Sequence, residues 1–180
     1  MDHSYHGDTI GTMSVGERGV FNAAYDPLLF AVDRLPLGAD TLAAFETVAA
    51  SGELAALIVE PLVLGAGGML MYPPEVLARL RAACDRHGVL LIADEVMTGW
   101  GRTGRLWACD HAGIAPDILC TSKGLTGGAI PLAATLATEA IFAAHWSEDR
   151  SRTFFHSSSY TANPIACAAG LANARIWQAE

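Results

Sequence analysis

Two short, continuously apolar runs, Ala55 to Val59 and Val89 to Ala93, bracket a single amphipathic segment, and this arrangement restricts the fold more than any other feature of the chain. Strands that are apolar without alternation belong inside a sheet covered on both faces, as parallel sheets are. After Pro73-Pro74, the stretch Glu75 to His87 places Val76, Leu77, Leu80, Ala83 and Cys84 on one face, with Glu75, Arg79, Asp85 and Arg86 largely elsewhere. That spacing predicts a helix packed on the strands. Proline at its start and Gly88 just past its end mark the boundaries. The first strand stops at Glu60-Pro61 and a glycine loop, Gly65-Ala66-Gly67-Gly68, carries the chain away from it.

The remaining segments alternate in the order of an open α/β sheet with crossover helices. Asp117 to Cys120 reads as a third strand. Leu132 to Thr138 reads as a fourth, although its alanines also suit a helix. Asp40 to Ala50 is helical, while the rest of the first forty residues mixes glycine, proline and apolar residues without a sustained period. Asn163 can cap a final helix whose first turn holds Pro164 and whose body, Ala166 to Ala174, permits close packing. The stretch Arg175 to Glu180 carries no capping signal and reads as a truncation. With 180 residues, 52% of them hydrophobic and 17% charged, the chain is expected to form one extensively buried unit.

A formal charge of −8 argues against a nucleic-acid partner and against an anionic membrane surface. No apolar segment approaches the roughly 20 residues of a membrane span, and Met1 to His6 lacks a signal peptide's apolar stretch, so a cytoplasmic location is expected. Cys84, Cys109, Cys120 and Cys167 are widely spaced and read as buried reduced thiols. His3, His6 and Asp8 lie close in sequence, but no Cys, His or carboxylate set recurs at ligand spacing, and no metal is expected.

Because parallel strands joined by helices point the same way, Glu60, Asp94 and Lys123 are predicted to emerge at one carboxyl edge of the sheet, where ligands collect in such folds. Asp94 and Lys123 are 29 residues apart (123 − 94). An amine able to form an imine and a carboxylate able to keep a pyridine nitrogen protonated are the minimum equipment for pyridoxal phosphate chemistry. The bland reading of Lys123 is a solvated loop lysine. The glycines that follow it, Gly124, Gly127 and Gly128, favour the other, since they keep bulk low where a cofactor approaches.

A second motif competes. Gly99-Trp100-Gly101-Arg102-Thr103-Gly104 matches the dinucleotide-binding pattern after a strand. Yet Asp94-Glu95 stands between strand and glycines and would repel a pyrophosphate, and Arg105 to Asp110 makes no clean helix start. Asp117 also precedes the next strand, where the pattern needs an acid at its end.

Five motifs in order carry a resemblance. Glu60-Pro61 with Gly65 to Gly68, then Leu91 to Val96, Thr98 to Gly104, Ala115-Pro116-Asp117-Ile118 and Ser122-Lys123-Gly124 are similar to the class III aminotransferases, enzymes that use pyridoxal phosphate on a fold type I scaffold. The likeness runs from about Ser4 to Ala174 and corresponds to the middle of a family member. It implies that residues 1–180 form part of the large cofactor-binding domain, a mostly parallel sheet with helices on both faces, without the family's N-terminal segment and C-terminal small domain. Tyr5 to Thr9, Gly67 to Tyr72, Trp107 to Ala112 and Ile114 to Cys120 are similar to members that move an amino group from S-adenosylmethionine to 8-amino-7-oxononanoate in biotin synthesis. His156 to Pro164 departs from the pattern, with serines where many relatives have Gly-Pro-Thr.

The resemblance assigns roles. Lys123 would hold the cofactor as an imine and then shuttle the proton, with burial and a cationic neighbourhood making it a better nucleophile. Asp94 would pair with the pyridine nitrogen. Val96 would wall one face of the ring and Tyr5 would stack near the other; a core valine and a loop tyrosine are the plain alternatives. Ser159 stands where the family's hydroxyl residue binds the cofactor phosphate from the partner subunit of a homodimer, and it could equally cap a helix. Glu60 would orient its neighbours, and Tyr5, Asp8 and Arg102 would line the substrate approach. Two other readings stay open: a class III transaminase acting on a different ω-amine, and a catalytically inactive truncated chain that serves as a folding or interaction fragment; the 180-residue piece alone is expected to retain cofactor weakly and turn nothing over.

Overall fold

The computed structural model describes residues 1–179. Its strands are β1 (Ala56–Val59), β2 (Val63–Leu64), β3 (Leu70–Met71), β4 (Leu90–Asp94), β5 (Ile118–Thr121) and β6 (Ala134–Ala137). Its α-helices are α1 (Ile10–Val15), α2 (Thr41–Ala49), α3 (Pro74–His87), α4 (Glu139–His145) and α5 (Pro164–Ala179). The main sheet has the order β1-β4-β5-β6, parallel from β1 through β5, with β6 antiparallel on β5. The expected strand at Leu132 to Thr138 is therefore present, and it runs backwards. Residues 122–133, with the short 3-10 turn Lys123–Thr126, separate it from β5 and hold no crossover helix to return the chain to the starting edge.

The β1-α3-β4 unit forms as its apolar pattern requires. Pro74 opens α3, and Gly88 ends it in the left-handed conformation at φ 67°, a position suited to glycine. Leu77, Leu80, Ala83 and Cys84 of α3 are buried with Phe45 and Ala49 of α2 and with Leu57, Val59, Leu91 and Ala93, which alternate along β1 and β4. The alternation puts Ile92 and Asp94 on the opposite face from this cluster. The glycine loop after β1 forms a small antiparallel ribbon, β2 with β3, that sequence periodicity does not reveal.

Arg81 shows how α3 is keyed to the sheet. Its guanidinium lies 2.6 Å from Asp117 Oδ2 and 2.5 Å from Asp85 Oδ1, and Asp117 also accepts the Leu91 N–H at 2.7 Å. Burial by itself would raise the Asp117 carboxyl, but the Arg81 and Leu91 donors outweigh it and hold the group below its ordinary range. The thiols are all free, but they are not uniformly buried: Cys84 and Cys109 are, Cys120 is half-buried and Cys167 is exposed on α5. Burial pushes the Cys84 thiol up to about 11.

Two outcomes follow from this packing. Leu80→Ala, at a site with no exposure, is expected to cost about 2–5 kcal/mol in urea unfolding, whereas Leu171→Ala, at a half-exposed site, stays within about 0.5 kcal/mol; equal effects would contradict the core as drawn. A carboxyl depressed in the folded state contributes stability above its unfolded pKa and loses it as pH falls through the folded one. Asp117→Asn should therefore be less stable than the parent chain at neutral pH, with the gap in unfolding midpoint closing below about pH 4.

Candidate active site

The carboxyl ends of β1, β4 and β5 lie side by side, because the parallel register sets Val59 opposite Ala93 and Asp94 opposite Cys120. Glu60, Asp94 and Lys123 thus leave the sheet at one edge, as the sequence predicts. What each does there is decided by its neighbours.

Asp94 ends β4 and is buried. Its Oδ1 accepts the Val96 N–H at 3.1 Å and its Oδ2 lies 2.8 Å from His6 Nδ1. The His6 side chain is 1% exposed, and its Nε2 is buried without a partner among the described residues. Both oxygens of Asp94 are therefore fixed, in a place where an unpaired charge would be costly. His6 is the residue that sequence reasoning passes over, weighing it only as a metal ligand. Its partner is 88 positions away, and only the fold brings them together.

Glu60, 4% exposed, accepts the Tyr5 N–H at 2.8 Å and the Gly65 N–H at 2.9 Å, and its carbonyl accepts the Tyr72 hydroxyl at 2.8 Å. It stitches the N-terminal segment and the glycine loop to the end of β1. Burial raises its carboxyl above the ordinary range, opposed by the two amide donors. Tyr5 is half-exposed, and its hydroxyl donates to Asp8 Oδ2 at 3.0 Å; that bond is the main reason the phenol is shifted upward. Tyr5, His6 and Asp8 line a cavity of about 560 Å³ together with Glu17, Val20 and Phe21.

Glu95 differs from its neighbour Asp94. It is fully buried and accepts the Thr98 hydroxyl at 2.5 Å, the Ala108 N–H at 3.0 Å and the Cys109 N–H at 2.8 Å. It anchors the long connection between β4 and β5 and faces no ligand space. The glycine motif in that connection is a packing device: residues 99–104 form turns, a Cβ at Gly99 would sit 2.7 Å from Trp107, and one at Gly101 would sit 2.3 Å from Trp177. No helix starts there to receive a pyrophosphate.

Lys123 opens the 3-10 turn after β5 with φ 43°, a left-handed backbone on a residue that has a Cβ. The burial expected around it is not seen; its side chain is exposed, and it makes no hydrogen bond or ion pair among the described residues. The turn itself is held tightly. Ser122 Oγ donates to Leu132 O at 2.7 Å, Thr126 Oγ1 to Ile130 O at 2.6 Å, and the Leu125 N–H to Ser122 O at 2.9 Å. Gly124 must be glycine, since a Cβ there would lie 2.5 Å from Trp100 Cβ, and Trp100 is fixed by a 2.8 Å bond from Nε1 to Thr121 Oγ1. Lys123 thus presents its amine on a rigid, strained turn at the same sheet edge as the oriented Asp94 carboxylate.

The other expected residues are less engaged. Val96 is half-buried and gives its N–H to Asp94. Arg102 and Ser159 are exposed, and among the described residues neither hydrogen-bonds to Lys123 or Asp94. Ser159 does not cap α5: Asn163 Oδ1 does, accepting the Ile165 and Ala166 N–H groups at 2.9 and 3.3 Å.

Comparison with known proteins places this geometry in context. The family model for class III aminotransferases matches residues 1–180. The chain is 52% identical, over 97% of its length, to the adenosylmethionine-8-amino-7-oxononanoate aminotransferase of Synechococcus elongatus, and 45% identical, over 98%, to that of Geobacter sulfurreducens. Among solved structures it is similar to the enzyme of the same name from Methanocaldococcus jannaschii (TM-score 0.91, 38% identity, 98% of this chain and 42% of that one). It is also similar to an amine transaminase from an uncultivated Pseudomonas species in its PLP-bound form (TM-score 0.87, 40% identity, 99% and 44%). The chain spans 44% of the Synechococcus protein and 43% of the Geobacter one, less than half of each.

The strain at position 123 and the anchoring by Glu95 can be weighed separately. Lys123→Gly is expected to raise stability by about 1 kcal/mol, a relieved left-handed strain of roughly 1–3 kcal/mol less the entropy glycine adds to the unfolded chain. Glu95→Gln should lower it by about 1–3 kcal/mol, as buried N–H donors lose a charged acceptor. Unfolding curves of the two variants read both, and a less stable Lys123→Gly would mean the turn is unstrained.

Proposed function

The chain belongs to the class III aminotransferases, and we propose that in the whole protein Lys123 and Asp94 hold pyridoxal phosphate and move an amino group from S-adenosylmethionine to 8-amino-7-oxononanoate, giving 7,8-diaminononanoate for biotin synthesis. The observation that carries this reading is that a doubly held, buried Asp94 and a Lys123 with no bonding partner among the described residues emerge at the same ends of adjacent parallel strands. The names of the relatives support the choice of substrates.

The residues present fit the cofactor. A protonated ring nitrogen needs a fixed anionic acceptor, and Asp94 is one; an aldehyde needs a free amine, and Lys123 has no competing partner among the described residues. Bound there, pyridoxal phosphate supplies an aldehyde that links to amines and a ring that takes up the electron pair left when the neighbouring C–H bond breaks. Asp94 would accept the ring N–H and favour the protonated ring. His6 and the Val96 amide keep that carboxylate aimed. With the cofactor bound, Lys123 would be placed to take the proton from the substrate carbon and return it as general acid. Val96 and Tyr5 form the walls on either side. Tyr5, Asp8 and Arg102 line the approach, and the hydroxyl of Ser159, which makes no hydrogen bond among the described residues, serves the cofactor phosphate across the interface of a homodimer.

On this reading residues 1–180 are part of the large domain of a longer cytoplasmic enzyme; among the described residues no helix is long and apolar enough to cross a membrane. Two observations favour a second substrate assignment. The serines at 157–159 and the likeness to an amine transaminase fit a class III enzyme acting on another ω-amine, and parallel assays with S-adenosylmethionine and simple ω-amines as donors separate the two.

Borohydride reduction of the full-length holoenzyme is expected to trap the cofactor on Lys123, found by peptide mass. Lys123→Ala should lose the visible band and at least about 10²–10⁴-fold in turnover, the usual weight of a positioned acid–base. An unmodified Lys123 after reduction would end the proposal.

A further inference from the structure

Helix α5 meets the lysine turn along one stripe. Gly170, Asn173 and Trp177 follow an i, i+3, i+7 spacing, which places them on one face of a helix. Gly170 lets the helix come close: a Cβ there would lie 3.1 Å from Leu132 Cδ2 and 3.7 Å from Leu125 O. Asn173 Nδ2 then donates to Gly124 O at 2.8 Å and to Leu125 O at 3.2 Å, the two carbonyls that directly follow Lys123. Trp177 packs on Trp100 with ring centroids 6.4 Å apart, and Trp100 in turn abuts Gly124.

We propose that Asn173 is a positioning residue for Lys123, its amide holding the strained turn so that the lysine amine keeps its place at the sheet edge where Asp94 also emerges. The inference rests on the reading of Lys123 as the cofactor-bearing residue. A left-handed backbone at a residue with a Cβ relaxes unless its surroundings hold it. The turn's own bonds are few: the Leu125 N–H to Ser122 O closes across Lys123, and the Gly127 N–H to Gly124 O lies beyond it. Asn173 is the side chain that ties Gly124 and Leu125 to a regular element, and an amide suits the task because its NH₂ carries two donors for two carbonyls. Aspartate has the same shape and would set lone pairs against those oxygens. Glutamine keeps the donors on a longer stem.

The test uses the full-length protein with Asn173→Asp and Asn173→Gln. In the cofactor-free form, Asn173→Asp is expected to speed hydrogen exchange at the Leu125 and Gly127 amides about tenfold while the β4 amides stay unchanged. In the holoenzyme it should lower kcat by about 10- to 100-fold, the scale of a small misplacement of a reacting group, with KM within about threefold. The pH midpoint of the cofactor's visible band should move as well, and Asn173→Gln should restore part of each effect. If Asn173→Asp does not fold, Asn173→Ser, which keeps a donor but is too short to reach both carbonyls, is read in the same way. A lower melting temperature with unchanged exchange, kcat and band midpoint would overturn the proposal. Borohydride labelling of Lys123 in the parent protein is the separate control: if that label is absent, the reading of Lys123 has failed, whatever Asn173 does.

Discussion

Everything at the site depends on the parallel ladder between β4 and β5. Setting Asp94 opposite Cys120 fixes the strand ends at a common edge, so an acid at the end of one strand and a lysine just past the end of the next emerge on the same side of the sheet's rim. An antiparallel pair would have sent them to opposite edges. Parallel pairing requires a long connection, here residues 95–117, that must return across the sheet without loosening its end. Glu95 answers that requirement by taking three donors at the start of the connection and in its 3-10 turn. Gly99 and Gly101 answer it by letting Trp107 and Trp177 approach within a distance no side chain would allow. The motif that looks like a nucleotide cradle is thus the packing cost of a parallel ladder.

Four carboxylates near the sheet illustrate how environment assigns work to one functional group. Glu95 and Glu60 are buried and satisfied mainly by backbone N–H groups, which makes them structural fixtures. Asp117 is paired with Arg81 and joins a helix to two strands. Asp94 alone is held by an imidazole whose other nitrogen is buried and unpaired, and by one amide. Its partners orient it without neutralising it by a permanent cation. An acid so placed can still serve a ligand's N–H, whereas the Asp117 carboxylate is occupied by a guanidinium.

Much of this was legible in the sequence, for physical reasons. The β1-α3-β4 unit declares itself through continuous apolar runs and a 3.6-residue period, and its ends fall within a residue of expectation because Pro74 and Gly88 have few other uses. The Asn163 cap is read for the same reason. Where the signal is short, reading fails. The two-residue strands β2 and β3 and the six-residue helix α1 have too few turns or pairs to leave a period. Leu132 to Thr138 was ambiguous between helix and strand until β5 offered it a free edge. The roles of His6, Glu95 and Asn173 were out of reach, since each acts through a partner 13 to 88 positions away and nothing local distinguishes them.

Backbone conformation gives a further argument for treating Lys123 as chosen for its chemistry. Among the described residues, glycine occupies ten positions with left-handed or related φ, including Gly127 and Gly128 in this same region, so this chain has glycine available wherever the turn alone matters. Six other residues adopt positive φ without that freedom, and three of them, His3, Trp100 and Lys123, lie in the segments that bear on the site. Each carries a Cβ against a steric penalty of about 1–2 kcal/mol. A sequence shaped only for stability would place glycine at 123. Lysine there is what remains when an amine at the end of β5 is worth more than a relaxed turn, and the hydrogen bonds gathered on Ser122, Gly124, Leu125 and Thr126 are the structural consequence.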